Sequence, residues 1–492
     1  MSNPQTTTEP GSRVPLATRL FYGVGSVSEG TKNTAFNVFL LFYFNQVLGL
    51  SGIFSGAAIF VALCVDAITD PLVGSISDHT RSRWGRRHPY MYSAALPMAA
   101  SFYLLFNPPA GLGQTGLFLW LAGFAVAVRT SMTLYAIPSS SMVPEITSHY
   151  DERTTLVAYR FLFGWVGGLS ASLLGYQVFF RKVGDIDGRL IPESYQGFAL
   201  ACAAVIFLAI LVCAAGTHRL IPTLRSPPKD GPLSLGGFVE DLRDAFSNRS
   251  YRNLVLGLLF ASVAGGFNDV VGLYMNTYFW EFSTDQISLF VVCLAFAALF
   301  AFALARPISE RFDKKQAAVG LALFAVIFGP LPVFLRLAGW MPANGTRVLL
   351  GLMLLHSVVL VFAVVVISIL VASMVGDVVD ENELSTGKRQ EGLFVSAITF
   401  TQKATSGLGG LAAGIALDVI AFPRLADPGS VAPEKLFQLG FAVGPGMMVL
   451  FVLLVFFLSR YGITRERHRQ ILAELQRRRE VAPPPPLLSG SP

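Results

Sequence analysis

The chain has 492 residues, 53% hydrophobic and only 14% charged, with a mean hydropathy of +0.56, whereas a soluble domain carries roughly 25% charged residues. This composition excludes a water-soluble globular protein and predicts an all-α integral membrane protein. The net charge of +6 does not imply a nucleic-acid partner, because the Lys and Arg residues are spread over alternate connections between apolar runs.

A helix needs about 20 apolar residues to cross a bilayer. Twelve such runs follow one another, at 21–48, 52–77, 89–107, 115–143, 155–180, 197–216, 252–280, 284–305, 316–338, 346–376, 390–420 and 435–458. Residues 1–18 precede them as a flexible polar segment with no apolar stretch of the signal-peptide kind. The first run carries a polar stripe, Ser26, Glu29, Asn33 and Asn37, with Lys32 beside it. Such a stripe must face protein or water.

The second run contains Asp66 and Asp70, four residues apart and so on one helix face. Each costs about 2.5–3.5 kcal/mol to insert, and two adjacent anions repel. Either one protonates or a cation sits between them, unless the pair serves only to hydrogen-bond neighbouring helices. Further along, the seventh run holds Asn268, Asp269 and Asn276, and the eleventh holds Lys403. An isolated Asn more often ties helices together. A lone ammonium needs an anion or a polar cavity, and the Asp66/Asp70 pair offers the missing counter-charge.

The connections after the second, sixth, eighth and twelfth runs are basic, while 107–116 carries no Lys or Arg. By the positive-inside rule both termini are expected in the cytoplasm, with the chain integral to the plasma (inner) membrane. On that side Asp78, Arg81, Arg86, Arg87, Glu145 and Arg153 lie in neighbouring connections. Ion pairs among them are expected to latch the inward face and break as it opens. By default such clusters contact water or lipid headgroups.

The long connection 217–251 divides the chain into halves, 1–216 and 252–458, followed by a cytoplasmic tail, 459–492. Two echoes support a duplicated six-helix unit. Ser141-Met142-Val143-Pro144-Glu145 returns as Ser373-Met374-Val375-Gly376-Asp377 after 232 residues, and Asp78 is matched by Asp313 after 235. Two pseudo-symmetric halves around a midplane cavity are a transporter arrangement. No Walker A loop, HExxH or Cys/His ligand set occurs, so neither an enzyme nor a cofactor is expected. Cys64, Cys202, Cys213 and Cys293 all fall in spans and are expected as packed thiols.

DAITDPLVGSISDHTRSRWGRRHPY, AIPSSSMVPEIT with DERTTLVAYR, and MVGDVVDENELSTGKRQEGLFVSAITFTQKATSG together resemble the signatures of the glycoside-pentoside-hexuronide:cation symporters, the melibiose-permease group of the major facilitator superfamily. The resemblance covers both halves and implies the major facilitator fold. It implies a cation site of Asp66, Asp70 and Thr133, holding Na⁺ if sodium is the coupling ion and a proton otherwise. It also matches Lys403 and Arg160 to the family's coupling residues. The sugar side departs from the family: Gly30 and Ala136 stand where sugar-binding acids are expected, and Ser140 where a stacking Trp is expected. Glu29, Asn33, Tyr135, Asn268 and Asp269 are the nearby groups left to hold a solute. The expected function is symport of a glycoside-like organic solute with Na⁺ or H⁺ across a lipid bilayer, or, as the alternative, of an amphiphile such as a lysophospholipid.

Overall fold

A computed structural model describes residues 14–147, 150–224, 246–387 and 391–481. The central part of the middle connection and the end of the tail lie outside the described residues. Helix α1 starts as Leu16–Val24 and Ser26–Thr34 and runs on through π-helical turns at Ala35–Leu40 and Tyr43–Val47. It is followed by α2 (Gly52–His79), α3 (His88–Leu105), α4 (Gln114–Ser141), α5 (Tyr150–Leu174) and α6 (Pro192–His218). The second half has α7 (Arg249–Tyr274, with a π turn at Met275–Phe279), α8 (Thr284–Arg311), α9 (Lys314–Phe328, resumed at Leu331–Leu337) and α10 (Arg347–Thr386). Then come α11 (Glu391–Val419), α12 (Pro433–Phe441 continued by Met447–Ser459) and a terminal helix α13 (Arg465–Val481). Among the described residues nine helices are long and apolar enough on their own to cross a membrane. α1 falls short because its middle is the polar stripe.

The two halves use the same packing scheme. α2 and α3 both pack on α4, α3 on α6, and α1 on α5 and α6; the same pairings recur six helices later as α8 and α9 on α10, α9 on α12, and α7 on α11 and α12. The repeat extends to single residues. Glu145 accepts from Arg86 at 2.6 Å and from Arg87 at 3.2 Å, and its echo Asp377 accepts from Lys314 at 2.7 Å. In each half an acid at the basic end of the fourth helix, just past it in the first half and within its last turns in the second, receives a base at the start of the third. The π turns at Tyr43–Val47 and Met275–Phe279 are likewise equivalent, and Tyr278 donates 3.0 Å to Gln46, 232 residues away.

Close helix approach rests on glycine. A side-chain carbon at Gly52 would sit 2.4 Å from the Gly414 carbonyl oxygen, and one at Gly414 would sit 2.1 Å from that of Gly52, so α2 and α11 touch backbone to backbone. This contact seals the end of the bundle remote from the termini. Asp418 adds to it by accepting from the first amides of α2, Gly52 at 3.0 Å and Ile53 at 2.8 Å, where a helix N-terminus favours an anion. Tyr274 donates to Asn45 at 2.8 Å, and Arg189 to Thr277 at 2.9 Å.

At the basic end the ion pairs among the described residues include Arg19 with Glu152, Arg86 and Arg87 with Asp78 and Glu145, Lys314 with Asp377, and His468 with Asp377 and Asp380, each within one half. The contacts between the halves described above lie at the remote end, which they close. Substitution of Gly414 by Val, which wedges α2 from α11, is expected to favour the state open at the remote end. Spin-label distances between the Gly52 and Asp418 ends should lengthen, and unchanged distances would count against this seal.

Candidate functional site

Asp66 and Asp70 project from α2 toward α4, where Arg129 and Thr133 repeat the same four-residue spacing. The Thr133 hydroxyl lies 3.0 Å from Asp66 Oδ1 and 2.8 Å from Asp70 Oδ1. A hydroxyl has one proton to give, so it can donate to only one of the two carboxylates at a time, and the three oxygens form the kind of group that a hard cation prefers. The outer carboxylate oxygens face fixed cations. Arg129 Nη1 donates to Asp66 Oδ2 at 3.2 Å, and Lys403 Nζ lies 3.5 Å from the same atom. Lys403 also hydrogen-bonds Asp70 Oδ2. Asp66, Arg129 and Thr133 are all buried. Lys403 comes from α11, so this cluster joins the halves near the middle of the bundle. Lys32 is buried on α1, and its ammonium lies 5.9 Å from the Phe36 ring that also faces Arg129.

One turn of α1 nearer the basic end, Glu29 accepts from Arg160 at 2.7 Å, and Arg160 also donates to the Tyr22 hydroxyl at 3.2 Å. These groups border a cavity of about 710 Å³ between α1, the end of α4 and α5. Its polar side is Ser26, Glu29, Asn33, Ser140 and Arg160; its apolar side is Val157, Phe161, Trp165 and Leu169. The structure thus brings Asp66, Asp70, Thr133 and Lys403 into one cluster and Glu29, Asn33 and Arg160 into the adjoining cavity. Asn268 and Asp269 occupy the exposed face of α7, apart from that cavity.

Several expectations need correction. Tyr135 lines no part of the cavity: it is 1% exposed and packs between Gly25 and Cys213. Cys64 is exposed rather than packed. The Asp78, Arg86, Arg87 and Glu145 cluster joins α2, α3 and the turn after α4. All of these pairs lie within one half, which they brace. Arg81 lies exposed outside it, and Arg153 donates instead to the Thr147 carbonyl at 2.9 Å.

Sequence reasoning passed over Arg129, although a guanidinium in the run VAVRTSMT signals as loudly as Lys403. It also missed Trp165 and Phe161, which look like any other aromatics in an apolar span. Gly30 has a structural reason. A side-chain carbon there would sit 1.9 Å from the Gly164 carbonyl oxygen and 2.8 Å from the Gly168 amide, so α1 and α5 leave no room for an acid.

Residues 21–465 match the MFS/sugar transport protein family. The chain belongs to this family. Among its relatives, an uncharacterized symporter of Synechocystis sp. is 27% identical over 95% of this chain and 98% of its own. The isoprimeverose transporter of Lactiplantibacillus pentosus is 25% identical over 82% and 80%. The sodium-dependent lysophosphatidylcholine symporter 1 of Mus musculus is 26% identical over 96% and 90%. Among solved structures, a bacterial Spinster homologue in an inward-facing, unoccupied conformation aligns over 93% of the chain and 97% of its own, with a TM-score of 0.59 at 14% identity. The Escherichia coli xylose transporter XylE, partially occluded and inward open, aligns over 92% and 98%, with a TM-score of 0.57 at 14% identity. These two establish the major facilitator fold.

A sugar-binding acid introduced at position 30 is not expected to restore a family-type site. Gly30→Asp should separate α1 from α5 and destabilise the protein by about 3 kcal/mol, the upper part of the range for overpacking, with Gly30→Ala less affected. Thermal unfolding of the purified variants reads this, and a Gly30→Asp protein as stable as wild type would show that the helix crossing has slack.

Proposed function

We propose that this chain is a secondary active transporter that moves an organic solute in symport with a cation, Na⁺ or H⁺. The observation that carries this reading is the Asp66, Thr133 and Asp70 oxygen cluster, tied to Lys403 of the opposite half. Coupling needs a cation site whose occupancy changes what the two halves gain by approaching, and Lys403 links the two. With a cation among the oxygens, Lys403 is no longer the only counter-charge of Asp70 and can turn toward the solute. By linkage each ligand then raises the affinity for the other. The transporter needs no resident cofactor; the coupling ion is cargo.

The basic connections support a cytoplasmic position for the end that carries the termini, with the sealed end on the outer side of an inner or plasma membrane. The cavity between α1 and α5 supports a solute with a polar and an apolar part. The Glu29 carboxylate and Arg160 guanidinium supply charge-assisted hydrogen bonds, and Trp165, which lines the same cavity as Ser140, gives an aromatic face at a position not anticipated from the sequence. A glycoside with an apolar substituent fits both sides. The apolar wall also favours a second reading, a lysophospholipid-like amphiphile, a class named in one relative.

In proteoliposomes Asp70→Asn is expected to abolish cation-driven uphill accumulation while solute counterflow persists. Accumulation at the wild-type level would sink the assignment. Binding of melibiose, an aryl glycoside and lysophosphatidylcholine, each with and without Na⁺, separates the solute readings. The aryl glycoside is expected to bind more tightly than melibiose, and cation-linked binding of the lysolipid alone would establish the second reading.

A further inference from the structure

The two carboxylates of the cluster are not equivalent, and the difference lies in which half supplies the counter-charge. Asp66 meets Arg129 from α4, a helix packed on α2 within the same half, at 3.2 Å, and has Lys403 as a second, more distant cation at 3.5 Å. Asp70 meets Thr133 from that half, but its cation, Lys403, comes from α11 in the other. Alternating access in this class of fold is rocking of one half against the other with little change inside each. The Asp66–Arg129 pair therefore travels as a unit, while the Asp70–Lys403 pair stretches or breaks. Arginine also stays charged throughout.

Other features fix Arg129 in this role. It is 7% exposed, and its guanidinium lies 5.4 Å from the Phe36 ring centre. Its Nε is buried without an acceptor among the described residues, so the side chain is held by its charge and the ring, not by a saturated hydrogen-bond network. The charged groups around the pair are Lys32 from α1, Arg129 from α4 and Lys403 from α11, against two carboxylates. When Lys403 leaves, Asp66 remains compensated and Asp70 does not.

We propose that Arg129 is a tethered cation that withdraws Asp66 from the coupling site, leaving Asp70 with Thr133 as the carboxylate that binds the coupling ion. This rests on the symport reading above and specifies it: the ion meets a site with one free negative charge where two bare carboxylates would give a stronger field. Arg129 is then a specificity-determining residue, setting how tightly, and with what preference, Na⁺ or H⁺ is held.

The test uses purified full-length protein and two probes, NaCl titrated against choline chloride at constant ionic strength and a pH series, with thermal stability as the readout. Arg129→Gln is expected to bind the coupling ion at least about tenfold more tightly, because a like charge within a few ångströms has been removed. The neutral double replacement Asp66→Asn with Arg129→Gln leaves no orphan charge. It is expected to keep the wild-type cation response to within about threefold, under 1 kcal/mol. Asp70→Asn should lose the response altogether. A double variant as unresponsive as Asp70→Asn, or an Arg129→Gln variant that folds and binds no more tightly, overturns the role of Arg129 while the coupling site stands. A response retained in Asp70→Asn overturns the coupling site itself, and this assignment with it.

Discussion

Two carboxylates in a membrane-spanning helix set the terms for the rest of the molecule. Neither can sit in hydrocarbon as a bare anion, so α2 has to present both to one polar pocket, and their four-residue spacing does so. α4 answers with Arg129 and Thr133 at the same spacing, which fixes the register of α2 against α4. α11 answers with Lys403, which requires it to approach α2 closely enough for a lysine to span the gap. The glycine contact of Gly52 with Gly414 provides that approach. A bulkier pair there would hold the halves apart, leaving Asp70 without its cation.

The scaffold is duplicated but the chemistry is not. Helix pairings repeat from one half to the other, Glu145 and Asp377 perform the same bracing task, and equivalent π turns meet at the remote end. Yet 232 residues beyond Asp66 and Asp70 stand Ala298 and Phe302. The first half keeps the acids and their arginine, and the second contributes a single lysine. Symmetric packing gives two rigid bodies of matched shape. Asymmetric charge makes their relative position depend on what is bound between them.

Much of this was legible in the sequence, because burying a charge is costly wherever it occurs. The spans, the polar stripe of α1, the acid pair and Lys403 all announce themselves through that cost, and the echo of Glu145 in Asp377 exposes the repeat. What was not legible depends on direction. An apolar run does not say which face meets lipid, cavity or neighbouring helix, so Tyr135 was placed near the solute when it is buried, while Trp165 and Phe161 were passed over. Hydropathy also ends α10 near residue 376, whereas the helix runs to Thr386 through the polar stretch DVVDENELST, which needs no bilayer. The ion-pair cluster at the basic end could be located from sequence, but only the packing of α2, α3 and α4 shows that all its members belong to one half.

The balance of forces between the halves indicates where control of the conformational change resides. At the remote end neutral hydrogen bonds such as Tyr274 to Asn45 and Tyr278 to Gln46, each worth about 1 kcal/mol net, stand beside charge-assisted ones of Asp418 and Arg189 and helix backbones in van der Waals contact. Those groups can be rehydrated when that end opens, so the loss of any one is modest. The central contact is different in kind. Separating Lys403 from Asp70 without replacement leaves two half-buried charges without their partners; the side chains are 37% and 20% exposed, so water offsets part of the cost, which lies above the roughly 1 kcal/mol of a surface pair and below the about 3–5 kcal/mol of a fully buried one. That single term exceeds any one of the neutral contacts at the seal. A cation at Asp70 removes half of the penalty, and an acceptor group on the solute facing Lys403 removes the other half. Movement with both ligands bound, or with neither bound and the Lys403–Asp70 pair intact, is thereby favoured over movement with one, and this is the condition for symport.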